Sequence, residues 1–353
     1  MGPSMRLKNK DIAKRLGISP TAVSLALNGR PGVSEETRRK VLELVGESAR
    51  ENMSAFDAAT SQPAPSRGSG CVVLAVHKKH GSVMNEKPFF SKLLETAQVE
   101  AQRLGYTVSL AHYTDGQPID EFIDYIDAIG PAGVIVEATE ILEEDLAGYK
   151  RLGVPVVLMD CSFDLGQVDA VELDNQVAFV RALDYAYQMG HRDIGLLRSS
   201  VRIMNFDHMT DGYLKGVHMH GLEDANTPII DLGCTVETAY EDMKAFLANV
   251  PADFVMPTCF LAQLDYIAIG AMRALTEAGY RIPEDVSIIG YDDVPMAAMC
   301  NPPLTTTRVN RGDAGGIAMK VLNTRIVDDP DYTLTIQVSS SLVERQSVKR
   351  LTT

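Results

Sequence analysis

The sequence predicts a small all-α headpiece followed by an α/β body made of two parallel-sheet lobes. Between residues 10 and 41, apolar residues recur at helical spacing in short runs that are punctuated by glycine. After residue 70, apolar strands alternate with amphipathic helices, which is typical of parallel sheets built from right-handed crossovers. At 353 residues the chain is too long for one compact core, and two sheets with a cleft between them fit that length better than one large sheet.

These patterns divide the chain into three parts. Residues 1–50 form the headpiece, residues 51–70 form a hinge and a linker rich in Pro, Gly and Ser, and residues 71–353 form the body. The expected limits of the lobes are about 71–162 with 293–327 for the first, and about 163–292 with 328–353 for the second.

The headpiece begins with two short helices separated by a glycine turn. Gly17 supplies the conformation that ends the first helix, and Ser19 and Pro20 begin the second as its N-cap and first helical residue. Asn28-Gly29 ends the second helix, and Ser34 caps a third. This arrangement predicts a helix-turn-helix, whose second helix presents its N-terminal residues to base edges in the DNA major groove. An ordinary helical hairpin is the alternative, because short helix-turn-helix patterns are common.

The distribution of charge favours the DNA-binding interpretation. Residues 1–50 carry ten Lys or Arg against five Asp or Glu, a net charge of +5, whereas the rest of the chain has a net charge of −19. The basic end can neutralise phosphates, while the acidic body repels DNA and confines contact to the headpiece.

The body is expected to alternate between strands and helices. The predicted strands are 72–76, 107–111, 133–137, 155–159, 194–197, 254–256 and 286–289. The predicted helices are 89–104, 119–129, 142–152, 176–189, 211–220, 235–250, 266–279 and 314–326.

Polar residues follow several of these strands. His77 comes after the first strand, Asp160 after the strand at 155–159, and Asp292-Asp293 after the strand near 289. Ligands of open parallel sheets bind beyond the carboxyl ends of the strands, where carboxylates can accept hydrogen bonds from a polyol or a nucleoside. The alternative is that each of these residues only caps a loop or the following helix.

Other classes of protein are not expected. The sequence contains no run of eighteen apolar residues, so no transmembrane helix is expected. The N-terminus lacks the apolar core of a signal peptide, so a cytoplasmic protein is expected. The five Cys are scattered without a CxxC pair, which predicts free thiols and no metal site. The sequence contains no nucleophile elbow, P-loop, His-Glu-x-x-His or dinucleotide loop, so neither an enzyme nor a cofactor is expected.

Ordered motifs along the whole chain match one family. In the headpiece they are Asp11-Ile12-Ala13, Gly17-Ile18-Ser19, Thr21, Val23-Ser24, Ala26-Leu27-Asn28-Gly29, Val33-Ser34 and Thr37-Arg38. In the body they are Pro88-Phe89-Phe90, Gly105-Tyr106, Pro155-Val156 with Asp160, Asp174-Asn175, Gly190-His191-Arg192-Asp193-Ile194-Gly195, Pro283-Glu284-Asp285-Val286-Ser287, Gly290-Tyr291-Asp292-Asp293 and Pro303-Leu304-Thr305-Thr306. From Leu7 to about Glu344, the chain resembles the lactose/galactose-repressor (LacI/GalR-type) family of bacterial transcription regulators.

The resemblance implies a homodimer with a DNA-binding headpiece and a periplasmic-binding-protein-like body that holds a small effector. The implied DNA-binding residues are Lys10, Ser19, Pro20, Thr21, Ser24, Leu25, Asn28 and Ser34. The implied effector-binding residues are His77, Phe89, Asp160, Asn205, Asp265, Tyr291 and Asp292. Among the DNA-binding residues, Pro20, Thr21 and Leu25 would choose bases, whereas Ser19, Ser24 and Asn28 would mainly contact the DNA backbone.

Three positions depart from the family pattern. Ala59 stands where a leucine usually wedges into the minor groove, and an alanine side chain is too short to separate stacked bases. Met209 stands where an effector-binding arginine is common, and Leu264 where an asparagine is usual. Fewer polar groups in the cleft predict a less hydroxylated or partly apolar ligand.

The sequence therefore predicts a transcription regulator, expected to be a repressor. Its affinity for a pseudopalindromic operator would be switched by a small effector, a sugar, a sugar derivative or a nucleoside. The alternative is a solute-binding protein of similar fold that feeds a transporter. That function requires export, and both the headpiece and the missing signal-peptide core argue against it.

Overall fold

The computed structural model describes most of the body and a small part of the headpiece. In the body the described residues are 70–79, 81, 89–114, 116–163, 168–251 and 253–351. In the headpiece they are 13, 16–19, 22–23, 26, 34, 37 and 39–41. The chain divides into two compact units, residues 1–66 and residues 67–353.

The described part of the headpiece contains a small apolar core. Ala13, Val23, Ala26 and Val41 are buried together there. Gly17 has a φ of 65°, the left-handed conformation expected for the turn after the first helix. The hinge position, Ala59, lies outside the described residues.

The body begins with a first sheet and the helices that cover it. Its elements along the chain are β1 (Cys71–Lys78), α1 (Phe89–Leu104), β2 (Thr107–Thr114), α2 (Ile119–Ile129), β3 (Gly133–Glu137), α3 (Glu143–Lys150), β4 (Val156–Met159) and β5 (Asp169–Leu173). Together with a later strand, β11 (Thr335–Val338), these strands form a six-stranded parallel sheet in the order β11-β5-β4-β3-β1-β2. This sheet is the framework of lobe 1.

The second sheet forms lobe 2. Its elements are α4 (Asn175–Gln188), β6 (Ile194–Ser199), α5 (Met204–Met219), β7 (Ile229–Leu232), α6 (Val236–Asn249), β8 (Cys259–Ala262), α7 (Asp265–Glu277), β9 (Ser287–Asp292), α8 (Pro295–Met299) and β10 (Thr305–Arg308). The chain ends with α9 (Arg311–Asp328), β11 (Thr335–Val338) and β12 (Ser341–Val343). The strand order is β12-β10-β9-β8-β6-β7, and β12 is antiparallel to β10 while the other pairs are parallel.

The chain passes between the lobes three times, at places that differ from those expected. The passages follow β5, β10 and β11, near residues 174, 309 and 340, rather than near 162, 292 and 327. The strand at 169–173 was missed because Asp169 and Glu172 interrupt its apolar pattern. Both are buried and paired: Arg325 donates two 2.8 Å hydrogen bonds to Asp169, and Ser162 and Gln337 donate to Glu172.

Other strands were missed for similar reasons. β10 has the sequence Thr-Thr-Thr-Arg and carries no apolar residue, although its three threonines are buried. The strand expected at 254–256 is wrong, since β8 begins at Cys259. The helix expected at 211–220 begins earlier, at Met204.

Each sheet has apolar side chains on both faces, which is why its central strands read as continuous apolar runs. All five residues of β3 are buried, and separate apolar clusters lie on the two faces of the lobe 1 sheet. On one of those faces α9 packs against α1, and Gly315 allows the close approach. A Cβ built at Gly315 would lie 2.0 Å from the main-chain oxygen of Leu93.

The five cysteines are free thiols in the structure, as expected. Cys161, Cys234 and Cys259 are buried, and Cys71 and Cys300 are half-buried. Burial raises the pKa of the Cys161 and Cys259 thiols, which keeps them protonated and unreactive. No helix among the described residues is long and apolar enough to cross a membrane.

Candidate functional site

Two of the predicted DNA-binding residues lie in the described part of the headpiece, and both are helix caps. The Oγ atom of Ser19 accepts a hydrogen bond of 3.1 Å from the main-chain N–H of Ala22. The Oγ atom of Ser34 accepts one of 3.1 Å from the N–H of Thr37. Both predicted N-caps are therefore confirmed. The other predicted DNA-binding residues, Lys10, Pro20, Thr21, Ser24, Leu25 and Asn28, lie outside the described residues.

The strand order of the body indicates where a ligand would bind. In lobe 1 the connections reverse direction between β1 and β3, and in lobe 2 between β6 and β8. A crevice forms beyond the carboxyl ends of strands at such a switch point. His77 and Glu137 lie at that end of β1 and β3, and Ser199 ends β6. Sequence reasoning missed Glu137, because it ends an otherwise apolar strand and belongs to no recognised motif.

His77 is fully buried, and its ring contacts other side chains of the protein. Its Nδ1 atom lies 2.9 Å from the hydroxyl of Tyr149, and its ring stacks on Tyr113 with the centroids 4.3 Å apart. Its Nε2 atom lies 3.5 Å from Asp145, which in turn pairs with Lys79. Burial lowers the pKa of His77 to about 4, so the ring is neutral at physiological pH. In this conformation the ring of His77 is bonded to Tyr149 in the core of lobe 1.

Asp160 and Asn205 meet between the two lobes. Asp160 follows β4 in lobe 1, and Asn205 lies in the first turn of α5 in lobe 2. The Nδ2 atom of Asn205 donates to Oδ2 of Asp160 over 3.3 Å, and both residues are buried. Met204, the neighbour of Asn205, packs against the apolar cluster of lobe 1. These contacts join the lobes in the present conformation.

A further acid lies behind this contact. The hydroxyl oxygen of Thr139 is 2.6 Å from Oδ2 of Asp160 and 2.5 Å from Oε1 of Glu137. The other carboxylate oxygen of Glu137 is buried without a hydrogen bond. Burial, together with the neighbouring charge of Asp160, raises the pKa of Glu137 to about 8.

Asp265 is buried in lobe 2, where it fixes the loop after β9. Its Oδ2 atom accepts a 2.8 Å hydrogen bond from the N–H of Val294, and its Oδ1 atom lies 2.5 Å from the hydroxyl of Thr306. Burial and the nearby Asp292 raise its pKa to about 8. Asp265 thereby holds in place the loop that directly follows Asp292.

Tyr291 and Asp292 are neighbours with different surroundings. Tyr291 is buried, and its hydroxyl donates to Oδ1 of Asn175 over 2.6 Å. Asp292 is half-buried at the carboxyl end of β9 and has a φ of 115°. Asp160 and Asp293 also have positive φ, at 66° and 57°. Such φ values are uncommon for residues other than Gly and cluster at binding sites. Phe89 begins α1, and its side chain lies outside the described residues.

An open crevice of about 570 Å³ lies between the lobes. Its lobe 2 wall comes from the loop after β6, which includes Ser200 and Val201, and from the start of α6 near Gly233 and Thr235; Gly81 comes from lobe 1. None of the six predicted effector residues whose side chains the structure describes lines this crevice. The loop that carries Gly81 is held by Glu140, whose Oε2 atom accepts its N–H over 2.7 Å.

The buried titratable groups predict how the stability of the body depends on pH. Glu137 and Asp265 have folded pKa values raised to about 8, so they bind more protons folded than unfolded from about pH 4.5 to 8. His77 and His191 have folded pKa values lowered to about 4, so they bind fewer protons folded than unfolded between about pH 4 and 6.5. The two trends oppose each other below pH 6.5. Above it, of these four groups, the two acids determine the trend, and stability should fall by up to about 1.4 kcal/mol per acid per pH unit as the pH rises to 8.

Urea unfolding between pH 5.5 and 8.5 measures this slope. Asp265→Asn should remove about half of the fall above pH 6.5, because the amide has the shape of the acid, its oxygen can still accept from Val294, and it does not titrate. Asp285→Asn is the control, since pairing with Arg281 lowers the pKa of that exposed carboxylate and confines its effect to acid pH. A stability that rises from pH 6.5 to 8 would contradict the expectation.

Comparison with known proteins agrees with this architecture. Residues 9–49 match the family described as bacterial regulatory proteins, lacI family, and residues 183–348 match the periplasmic binding protein-like domain. A curated relative, the HTH-type transcriptional repressor PurR of Pasteurella multocida, is 28% identical over 346 residues, which are 96% of this chain and 98% of that protein. PurR of Mannheimia succiniciproducens is also 28% identical, over 97% of this chain and 98% of its own.

Solved structures share the fold. The transcriptional regulator CelR in complex with cellobiose superposes with a TM-score of 0.69 at 22% identity, covering 97% of this chain and all of that one. The lac repressor dimer bound to operator and the anti-inducer ONPF gives a TM-score of 0.68 at 21% identity, covering 98% of this chain and all of that one.

Proposed function

The chain belongs to the lacI family of bacterial regulatory proteins, and from that membership we propose that it represses transcription in response to a small effector bound between its two lobes. The observation that supports this most directly is the contact of Asp160 with Asn205, since it joins two lobes that could close on a ligand. A ligand shifts such an equilibrium only through its different affinity for the open and closed forms.

The proposed effector is a small molecule rich in hydrogen-bond donors, a nucleoside or a sugar. The acids at the carboxyl ends of the strands, among them Asp160 and Asp292, are acceptors when ionised and suit ring hydroxyl or N–H groups. The full-length relatives named PurR and the structure with bound cellobiose give the two compound classes to compare first. Calorimetric titration with purine bases, nucleosides and mono- and disaccharides would separate them, and no heat from any of these would count against the effector class.

Operator binding is the first test of the proposal. The full chain is expected to select a pseudopalindrome from random duplexes as a homodimer, with a log–log salt slope of roughly −0.9 for each phosphate neutralised. Changes at Thr21 or Leu25 should alter base preference at defined half-site positions, whereas Ser24→Ala should weaken all sequences about equally. Fluorescence anisotropy on the selected duplex measures these effects.

The controls for this test follow from the division of the chain. Residues 67–353 alone should keep effector affinity and lose DNA binding, since the headpiece is a separate unit. If that fragment still bound the same duplex, the headpiece assignment would be wrong. If an effector bound the full chain without changing its affinity for DNA, the solute-binding alternative would gain support.

A further inference from the structure

Four polar side chains contact one another in series, from the interior of lobe 1 to lobe 2. Glu137 contacts Thr139, Thr139 contacts Asp160, and Asp160 contacts Asn205. All four side chains belong to buried residues. We call this chain of contacts the carboxyl latch.

The number of protons in the latch follows from its distances. The hydroxyl of Thr139 has one proton, yet its oxygen lies 2.5 Å from Glu137 and 2.6 Å from Asp160. If both carboxyl groups were ionised, one of these short contacts would join two oxygens with no proton between them. One carboxyl group must therefore be neutral and donate to Oγ1 of Thr139, while the other accepts the threonine proton.

The surroundings of the latch favour retention of that proton. The charged groups that act on Glu137 are Asp160 and Glu140, both carboxylates. Tyr149 on α3 and Cys161 after β4 also feel the charge of Glu137, and the pKa of each is raised. Lys79, a nearby cation, pairs with Glu144 and Asp145 instead. A second negative charge in the latch would thus face carboxylates in a buried site.

We propose that Glu137 and Asp160 share a single proton while the lobes are closed, and that loss of this proton opens the cleft. With both groups ionised, the closed form keeps two adjacent charges away from water, whereas opening at the Asp160–Asn205 contact hydrates them. Closure then takes up a proton, and pH acts on the regulator together with its effector.

The linkage has a definite size and direction. Since the pKa of Glu137 is about 8 in the closed form and lower in the open form, where the acid is hydrated, closure should depend on pH between those two values. Over that range each pH unit should shift the equilibrium up to tenfold toward the open form, and above about pH 8, where the acid is ionised in both forms, the equilibrium should no longer change.

A tryptophan reporter can follow closure, because the natural chain contains no Trp. In Val201→Trp the indole would lie in the interlobe crevice that Gly81 lines from lobe 1. Its emission should be blue-shifted at pH 5, move to the red as the pH rises toward 8, and stay constant at higher pH. Small-angle scattering from the full chain without the reporter should show the radius of gyration rising over the same range.

Variants assign the transition to the latch. Glu137→Gln removes the titrating acid and should leave the emission blue-shifted from pH 5 to 9.5. Asp160→Asn removes the neighbouring charge while tolerating the positive φ of 66°, and should move the midpoint to lower pH. Glu172→Gln is the matched control: Glu172 is a buried acid of the same sheet with both oxygens hydrogen-bonded within lobe 1, and its variant should keep the wild-type transition.

The outcomes decide the proposal separately from the proposed function. The proposal is overturned if the wild type shows no transition, or if the transition persists unchanged in Glu137→Gln. If Glu137→Gln does not fold, an unchanged midpoint in Asp160→Asn overturns the proposal instead. A second measurement, operator affinity at pH 6.5 and at pH 8.5, rests on the proposed function. If the protein binds no DNA, this second measurement contradicts the proposed function, while the emission and scattering results still decide whether the latch exists.

Discussion

Asp292→Ala is expected to lower effector affinity about tenfold to hundredfold and to leave operator binding without effector nearly unchanged. A charged hydrogen bond to a ligand contributes roughly 1.5–3 kcal/mol, which corresponds to that range. Asp292 lies half-buried at the carboxyl end of β9, directly before a loop that Asp265 fixes through Val294. Calorimetric titration of the folded variant with the identified effector measures the loss.

Two further variants separate ligand contact from loop structure. Asp292→Asn keeps the side-chain shape and tolerates the φ of 115° better than alanine, so it should lose affinity mainly through charge. Asp293→Asn is the neighbouring control, because Asp293 pairs with Arg308 at 2.7 Å and Arg345 at 2.5 Å. It should reduce thermal stability while effector affinity stays at the wild-type value. Wild-type affinity in Asp292→Ala would mean that Asp292 only shapes its loop.

Gly315→Ala is expected to lower the melting temperature of the body by roughly 2–8 °C. The new Cβ would lie 2.0 Å from the main-chain oxygen of Leu93 and 2.5 Å from Oγ1 of Thr96, so α9 would have to move away from α1. Overpacking of this kind costs about 1–3 kcal/mol, and more where backbone must shift, which outweighs the roughly 1 kcal/mol that alanine adds to helix propensity. For a unit of this size 1 kcal/mol corresponds to about 2–4 °C.

Gly316→Ala provides a matched comparison one residue further along α9. Its Cβ would meet only the main-chain oxygen of Thr96, at an ordinary 3.9 Å. The same gain in helix propensity then acts without the clash, and the melting temperature should stay level or rise. Equal melting temperatures for the two variants, measured by differential scanning calorimetry, would show that the α1–α9 contact relaxes easily.

The fold was predictable from the sequence because its strongest signals are local. The caps at Ser19 and Ser34 satisfy main-chain N–H groups three residues away, so residue type and spacing were enough to place them. The buried strands of parallel sheets are likewise marked by their own apolar residues, as β3 illustrates.

The missed strands depend on distant partners. Asp169 is tolerated in β5 only because Arg325, far along the chain, donates to both of its oxygens. Local hydrophobicity therefore assigned the crossing between the lobes to the wrong place. Local hydrophobicity also could not identify β10, because its threonines are buried by the neighbouring strands β9 and β12.

The candidate site was predictable as a location and less so as a set of contacts. Asp160 follows a strand, as expected, but its contacts with Thr139 and, through it, with Glu137 become visible only when β3 and β4 are placed side by side. His77 and Tyr291 also lie at strand ends, yet their side chains bond to Tyr149 and Asn175 inside the protein. The direction in which a strand-end side chain points depends on neighbours that sequence spacing does not identify.

The three passages between the lobes also constrain the order in which the molecule can be completed during synthesis. Lobe 1 takes its edge strand and one covering helix, β11 and α9, from residues after 310, so its segment from β1 to β5 emerges from the ribosome without them. About 200 residues separate α1 from the helix that covers it, which at roughly 5–20 residues per second leaves its apolar face unpartnered for about 10–40 s. During that interval the nascent chain presents to chaperones a surface that the finished protein buries.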